Sequence, residues 1–182
     1  NPYIGLVNQG IDNVDYNNKK YNLFNSLSSQ PEDYYLSLAL QSVLCYKNIH
    51  DFEIIQDRST NSLSVGGINI LPFNKEASFL VNYYGPTSSI FNTFETFSLY
   101  QAIDNKDFNL SVLDEDDDWM DKYILPESPF YKFFGIDKSP FKDKIVIIGS
   151  SLDEQNDFVV SPYYYYKGIE KNMPGVELHA NA

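Results

Sequence analysis

Cysteine is nearly absent from this chain. Cys45 is the one thiol in 182 residues, so no intrachain disulfide can form. That excludes a small disulfide-stapled scaffold and leaves the compartment open, since an exported protein can do without cysteine. Histidine is as scarce, and His50 and His179 stand far apart, so a metal site built from clustered His and Cys is not expected. Basic residues are few: 13 Lys and Arg against 25 Asp and Glu leave a net charge of −12. A field of that sign repels phosphate backbones and anionic lipid, so nucleic acid is not an expected partner. No run of about 18 apolar residues occurs, so nothing in the sequence reads as a membrane-spanning helix. Asn1-Pro2-Tyr3 has neither the basic start nor the apolar core of a signal peptide. GxGxxG is missing too, so a dinucleotide site is not supported and no cofactor is expected.

What is present is apolar and aromatic. Hydrophobic residues make up 43% of the chain, including 15 Tyr and 13 Phe, enough for one folded domain spanning residues 1–182. Tyr3–Val7 reads as a strand, and Asp12–Ser26 as a loop with one exposed strand near Tyr21 and Leu23. Ser28, Pro31, Glu32 and Asp33 signal a helix start, with the helix running to Lys47 and Leu36, Leu40, Val43 and Leu44 on one face. Phe52–Ile55 is a candidate strand. Leu63–Ile70 alternates about Gly66-Gly67, which predicts a β-hairpin with a primed turn. Ala77–Tyr83 reads as a strand and Thr93–Ile103 as a helix. Residues 105–139 form a long excursion with an acidic run at 114–118 and a short helix at Trp119–Tyr123. Lys144–Gly149 has the composition of a strand buried on both faces of a parallel sheet, and Pro174 opens a last helix. The expected class is therefore α/β: a mostly parallel mixed sheet, flanking helices and one β-hairpin.

Several groups of residues invite a chemical reading. Ser150, Ser151 and Asp157 follow the carboxyl end of the Lys144–Gly149 strand, where open α/β sheets bind ligands; the alternative is a tight turn with Asp157 anchoring a loop. Ser150 or Ser151, Asp157 and His179 stand in the chain order of an α/β-hydrolase triad. The nucleophile elbow GxSxG is missing, however, and Asp157 lies in the same loop as the serines, so catalysis is not expected. His179 is instead expected to satisfy backbone groups at a helix start. The acidic run 114–118 lacks the glycine and closing glutamate of a calcium loop and reads as a solvated loop. Tyr163–Tyr166 can pack in the core, form a subunit interface or stack on a ligand, with interface or core packing expected ahead of a ligand platform.

The strongest pattern is Phe141-Lys142-Asp143-Lys144-Ile145-Val146-Ile147-Ile148-Gly149-Ser150-Ser151, then Asp157, Ser161-Pro162 and Met173-Pro174-Gly175-Val176-Glu177-Leu178-His179-Ala180-Asn181-Ala182. Leu36–Leu40, Ile68–Pro72, Val81–Pro86 and Phe91 with Phe97-Ser98 add weaker matches in the same order. Together they resemble the CHASE type-two sensory domain. The resemblance implies an extracytoplasmic input module, anchored to the cytoplasmic membrane in a full-length bacterial signalling protein. It implies covalently linked transmembrane segments and a cytoplasmic cyclase, histidine kinase or Ser/Thr kinase output, and it supplies no ligand, so the stimulus is an unidentified small molecule or protein. It further implies a family segment ahead of Asn1, so that this chain reads as a fragment of a larger domain. Ser150, Ser151, Asp157 and His179 are then the ligand or switch candidates, Pro174–Ala182 a transmission helix with Val176 and Ala180 docked inward, and a homodimer one assembly to test. The competing functions are a serine hydrolase-like enzyme and a protein-binding scaffold.

Overall fold

The computed structural model describes residues 19–26, 34–71, 77–105, 140–152, 154 and 157–182. The expectations for Tyr3–Val7, for a helix start at Ser28–Asp33, for the acidic run 114–118 and for Trp119–Tyr123 lie outside the described residues.

The chain divides into two compact units, residues 1–93 with 147–182, and residues 94–146. In the first unit, β1 (Lys20–Asn22) pairs with β7 (Ser78–Leu80), and β2 (Phe24–Ser26) with β3 (Tyr34–Leu36). Leu23 joins β1 to β2 and is the switch point: its N–H donates to the Ala77 carbonyl and its own carbonyl accepts from Ser37. A three-stranded meander follows, β4 (Ile54–Asp57), β5 (Ser62–Val65) and β6 (Ile68–Ile70). Near the C-terminus, β8 (Phe158–Val159) pairs with β11 (Met173–Pro174), and β9 (Tyr165–Tyr166) with β10 (Ile169–Glu170).

Helices and strands are mixed as expected, and the hairpin stands where Gly66-Gly67 placed it, with Val65 opposite Ile68 and Leu63 opposite Ile70. Both glycines have positive φ, +55° and +77°, as a primed two-residue turn requires. The parallel sheet is corrected: every described strand pairing is antiparallel. Two-residue turns such as 66–67 and 167–168 can only reverse a chain, whereas a parallel pair needs a crossover of a dozen residues or more. Lys144–Gly149 belongs to no strand, and Ile145, Val146 and Ile148 are 42, 50 and 80% exposed. A short apolar run reports burial only when a neighbouring strand takes up its backbone groups, which composition alone cannot show.

The first helix, α1 (Leu38–Tyr46), is shorter than expected because Tyr34–Leu36 is drawn into the ladder with β2. Ser37 becomes its N-cap, accepting from the Leu40 N–H at 3.4 Å. Its other end closes through Asn48, at φ +57°, with Ile49 N–H on the Leu44 carbonyl and Asn48 N–H on the Cys45 carbonyl. Leu40 and Leu44 pack with Leu23, Leu36, Leu63 and Val65 in the larger core cluster. Tyr21, Ala39 and Leu178 form a second cluster beside Val81, Tyr83 and Val159. The strand near Tyr21 and Leu23, expected to be exposed, is thus core: the two residues are 0 and 2% exposed. Its polar flanks hid two inward side chains, Tyr21 in one core cluster and Leu23 in the other.

A one-turn helix, α2 (Ser88–Phe91), follows the Gly85-Pro86 turn. In the second unit only α3 (Leu99–Ile103) forms from the expected Thr93–Ile103 helix, started by a capping box between Ser98 and Gln101. Phe97 meets Phe141 edge to face at 5.3 Å, and Lys144 pairs with Glu95 at 3.1 Å on the surface. The last helix, α4, spans Gly175–Asn181, with Pro174 as its N-cap rather than its first helical residue. Among the described residues no helix is long and apolar enough to cross a membrane.

The two turn glycines predict different tolerances. A Cβ at Gly66 would lie 2.9 Å from Ile49 Cγ2 and 3.1 Å from Leu44 Cδ2, whereas Gly67 faces open space. Left-handed strain and overpacking each cost about 1–3 kcal/mol, so Gly66→Ala should lose about 2–4 kcal/mol. Gly67→Asn should lose less than about 1 kcal/mol, because Asn visits that conformation readily. Urea unfolding of both variants measures the difference; equal losses would contradict this packing of the hairpin.

Candidate functional site

The C-terminal helix gathers several buried polar groups of the first unit, its own Glu177 and Asn181 with Thr87 and Ser88. Along α4 and its cap, Pro174, Glu177, Leu178 and Asn181 are buried, a helical stripe in which two of four members are polar. Val176 and Ala180, the apolar pair expected to dock, are only half-buried.

Glu177 reaches the N-terminus of α2. One carboxylate oxygen accepts from Thr87 Oγ1 and the Ser88 N–H, both at 3.2 Å. The other accepts from the Ser88 N–H at 2.9 Å and Ser88 Oγ at 3.1 Å. Thr87 makes no side-chain cap of its own, so the cap of α2 comes from about ninety residues along the chain. A carboxylate there satisfies open N–H groups and meets the positive end of the helix dipole. Asn181, one turn further, accepts from the Tyr84 N–H at 2.9 Å. Its amide nitrogen donates to the Glu177 carbonyl at 2.7 Å and to Met173 Sδ at 3.8 Å. Glu177 and Asn181 together hold both ends of the Tyr84–Ser88 turn.

His179 points to the other side. Its Nδ1 lies 2.6 Å from the hydroxyl of the fully buried Tyr21, and the Tyr21 oxygen accepts from the Ala39 N–H at 3.3 Å. The expectation that His179 serves backbone groups at a helix start gives way to this side-chain bond. Burial lowers the imidazole pKa below its ordinary value, and the negative charge of Asp157 offsets part of that effect. Tyr83, packed on the same cluster, is pushed up to about 12 by burial and stays protonated.

Asp157 is exposed, yet it is fixed at the start of α4. Its carbonyl accepts from the Gly175 N–H at 2.8 Å, and its carboxylate fills the space that a Cβ on residue 175 would need. Gly149 stands in the same relation to Val176, whose side chain occupies its Cβ direction. Two glycines thus let the 149 and 157 segments close on the helix start. Ser150 and Ser151 are not brought to this centre: Ser150 Oγ accepts from the Leu152 N–H at 3.2 Å, and Ser151 is exposed. Among the described residues neither serine bonds to His179, so the Ser, Asp and His that follow in triad order along the chain are not brought together as a triad. No group of three His, Cys, Asp or Glu suited to a metal occurs among the described residues.

Of the four consecutive tyrosines, Tyr166 meets Phe91 at 5.3 Å and Tyr163 at 5.7 Å, both edge to face, while Tyr164 and Tyr165 are exposed. The inner two are packing residues.

Sequence reasoning missed Tyr21, Glu177 and Asn181. Glu177 was visible as an acid in a first helical turn, but that position describes its own helix and not the helix it caps. Its spacing to Asn181 was the usable signal, since polar residues at i and i+4 share a face.

Removing the carboxylate takes an acceptor from the Ser88 N–H and from the Thr87 and Ser88 hydroxyls in a buried place. Glu177→Ala should therefore cost about 2–4 kcal/mol in urea unfolding, and Glu177→Gln, which keeps one acceptor, about 1–2 kcal/mol. A loss within about 0.5 kcal/mol for Glu177→Ala, the range of an ordinary surface change, would contradict the capping role.

The family model described as the CHASE2 domain matches residues 2–182. CHASE2 domains are extracytoplasmic sensory domains. No curated protein and no solved structure matches the chain.

Proposed function

The chain belongs to the CHASE2 domain family, and we propose that it is the signal-sensing input part of a membrane-bound bacterial signalling protein, without catalysis of its own. In this reading a stimulus outside the cytoplasm shifts the balance between two arrangements of α4, and the helix passes the shift to transmembrane and cytoplasmic output segments. The output belongs to the cyclase, histidine kinase or Ser/Thr kinase classes. His179 and Asp157 are the switch residues, one on α4 and one at its start, and Ser150 and Ser151 are ligand-contact candidates on the exposed 145–152 segment.

One observation carries the reading: three side chains of α4 bind three other parts of the unit. Glu177 holds α2, Asn181 holds Tyr84, and His179 holds Tyr21. A displacement of the helix by even an ångström changes all three, since hydrogen bonds weaken steeply with distance and angle. A stimulus acting on any one of these contacts therefore biases the same helix.

A second reading, a protein-binding module, draws on the β9–β10 hairpin, which presents Tyr164, Tyr165 and Ile169 outward. Tyrosine gives large contact area at low entropic cost.

The test is output in the full-length receptor. Gly175→Pro removes the N–H that binds the Asp157 carbonyl, and it should uncouple stimulus from output while the Leu23–Leu40–Val65 core stays folded. Normal signalling in that variant would overturn the transmission role and favour the binding module.

A further inference from the structure

His179 sits where three elements meet. The rings of His179 and Tyr21 are edge to face with centroids 5.6 Å apart, and the Nδ1–hydroxyl separation is 2.6 Å. The Ala39 N–H, in the first turn of α1, donates to the Tyr21 oxygen at 3.3 Å. The 2.6 Å contact suits a Tyr21 hydroxyl that accepts from the Ala39 N–H and donates to Nδ1 of a neutral imidazole, the tautomer with its proton on Nε2.

A proton on Nδ1 reverses this arrangement. The acceptor becomes a donor, so the Tyr21 O–H can no longer donate to the ring and must turn away, and a charge appears in a half-buried place. The groups around the ring come from each packed element. Tyr21 faces it from β1, and Asp157, ahead of β8, favours the charged ring. Glu177, two residues back on α4, is bonded to Thr87 and Ser88. Tyr83 packs on the Tyr21–Ala39–Leu178 cluster in its neutral form. No Asp, Glu, Lys, Arg or His occurs in α1.

We propose that His179 is a proton latch: protonation of Nδ1 ends the bond that Tyr21 donates to it, places a charge in a half-buried site and so loosens α4 from β1 and α1, making extracytoplasmic acid a stimulus for this sensor. The inference rests on α4 being the transmission element. Its sign follows from linkage. The folded ring binds its proton more weakly than the ordinary value of 6.5, because burial outweighs Asp157. The latch is closed above that value, and its contribution is lost as pH falls from there through the folded-state pKa.

The experiment is amide hydrogen exchange on the 182-residue chain between about pH 7 and about pH 5, corrected for the intrinsic pH dependence of exchange. Protection of Gly175–Asn181 and of Ala39 is expected to fall several-fold on acidification. His50→Gln, a change to the only other histidine, should leave that loss intact, and His179→Gln should abolish it. Protection independent of pH in the unsubstituted chain, or the same loss in His179→Gln, overturns the latch. Should His179→Gln fail to fold, Tyr21→Phe decides: it removes the hydroxyl partner, so the pH-dependent loss should shrink, and an unchanged loss overturns the proposal. A flat profile removes the latch alone, since the transmission role fails separately when the Gly175→Pro receptor signals normally.

Discussion

A buried carboxylate at the end of a one-turn helix is the constraint on which the C-terminal architecture depends. Four residues cannot hold a helix by themselves, because nucleation fixes several dihedral angles for a single hydrogen bond. Ser88–Phe91 is such a helix, and Thr87 does not cap it with its own side chain. Glu177 supplies the missing acceptors with both oxygens, and at 7% exposure it does so away from most of the solvent. The bond is reciprocal in effect. It orders α2, and it fixes the rotation of α4 about its axis, which in turn points Asn181 at Tyr84 and His179 at Tyr21.

A helix docked through polar contacts behaves differently from one docked through leucines alone. Apolar packing is non-directional and tolerates small rotations, whereas Glu177 and Asn181 lose bonds when the helix turns. Leu178 contributes the apolar anchor, against Tyr21 and Ala39. The close approaches at Gly149 and Gly175 add shape: Val176 and the Asp157 carboxylate occupy the volumes that larger residues would claim. Such a helix has few intermediate positions. That suits an element that reports one of two states, and cores and interfaces of this kind tend to be bistable rather than continuously deformable.

The legible part of the sequence was local. Gly66-Gly67 between alternating apolar residues specified its hairpin and register, because the turn conformation requires glycine and leaves one pairing. Leu40 and Leu44 declared their face by spacing. The family pattern was legible in the last ten residues, and most of its members now have a contact: Met173 and Pro174 in a strand, Gly175 under Asp157, Val176 over Gly149, Glu177 on α2, Leu178 on Tyr21 and Ala39, His179 on Tyr21, Asn181 on Tyr84. What could not be read was pairing between distant segments. Ile145–Ile148 carried the composition of a central strand, yet no described strand pairs with it. Tyr21 looked like an alternating residue on a polar loop, and contacts with distant residues such as His179, 158 positions away, Ala39, 18 away, and Phe79 make it core. The true stripe of α4 was masked for the same reason, since Glu177 and Asn181 are inward-facing only because distant partners satisfy them.

The central claim is that α4 is held as part of the core. A short helix without such contacts opens locally, at a free energy near zero, while core helices exchange only when the whole unit unfolds. Native-state hydrogen exchange at neutral pH, with urea raised in steps below the unfolding transition, compares the amides of Leu178–Asn181 with those of Leu40 and Leu44. The account predicts that both sets converge on one opening free energy with the same urea dependence. Exchange of Leu178–Asn181 that is fast and insensitive to urea, while Leu40 and Leu44 remain protected, would contradict it.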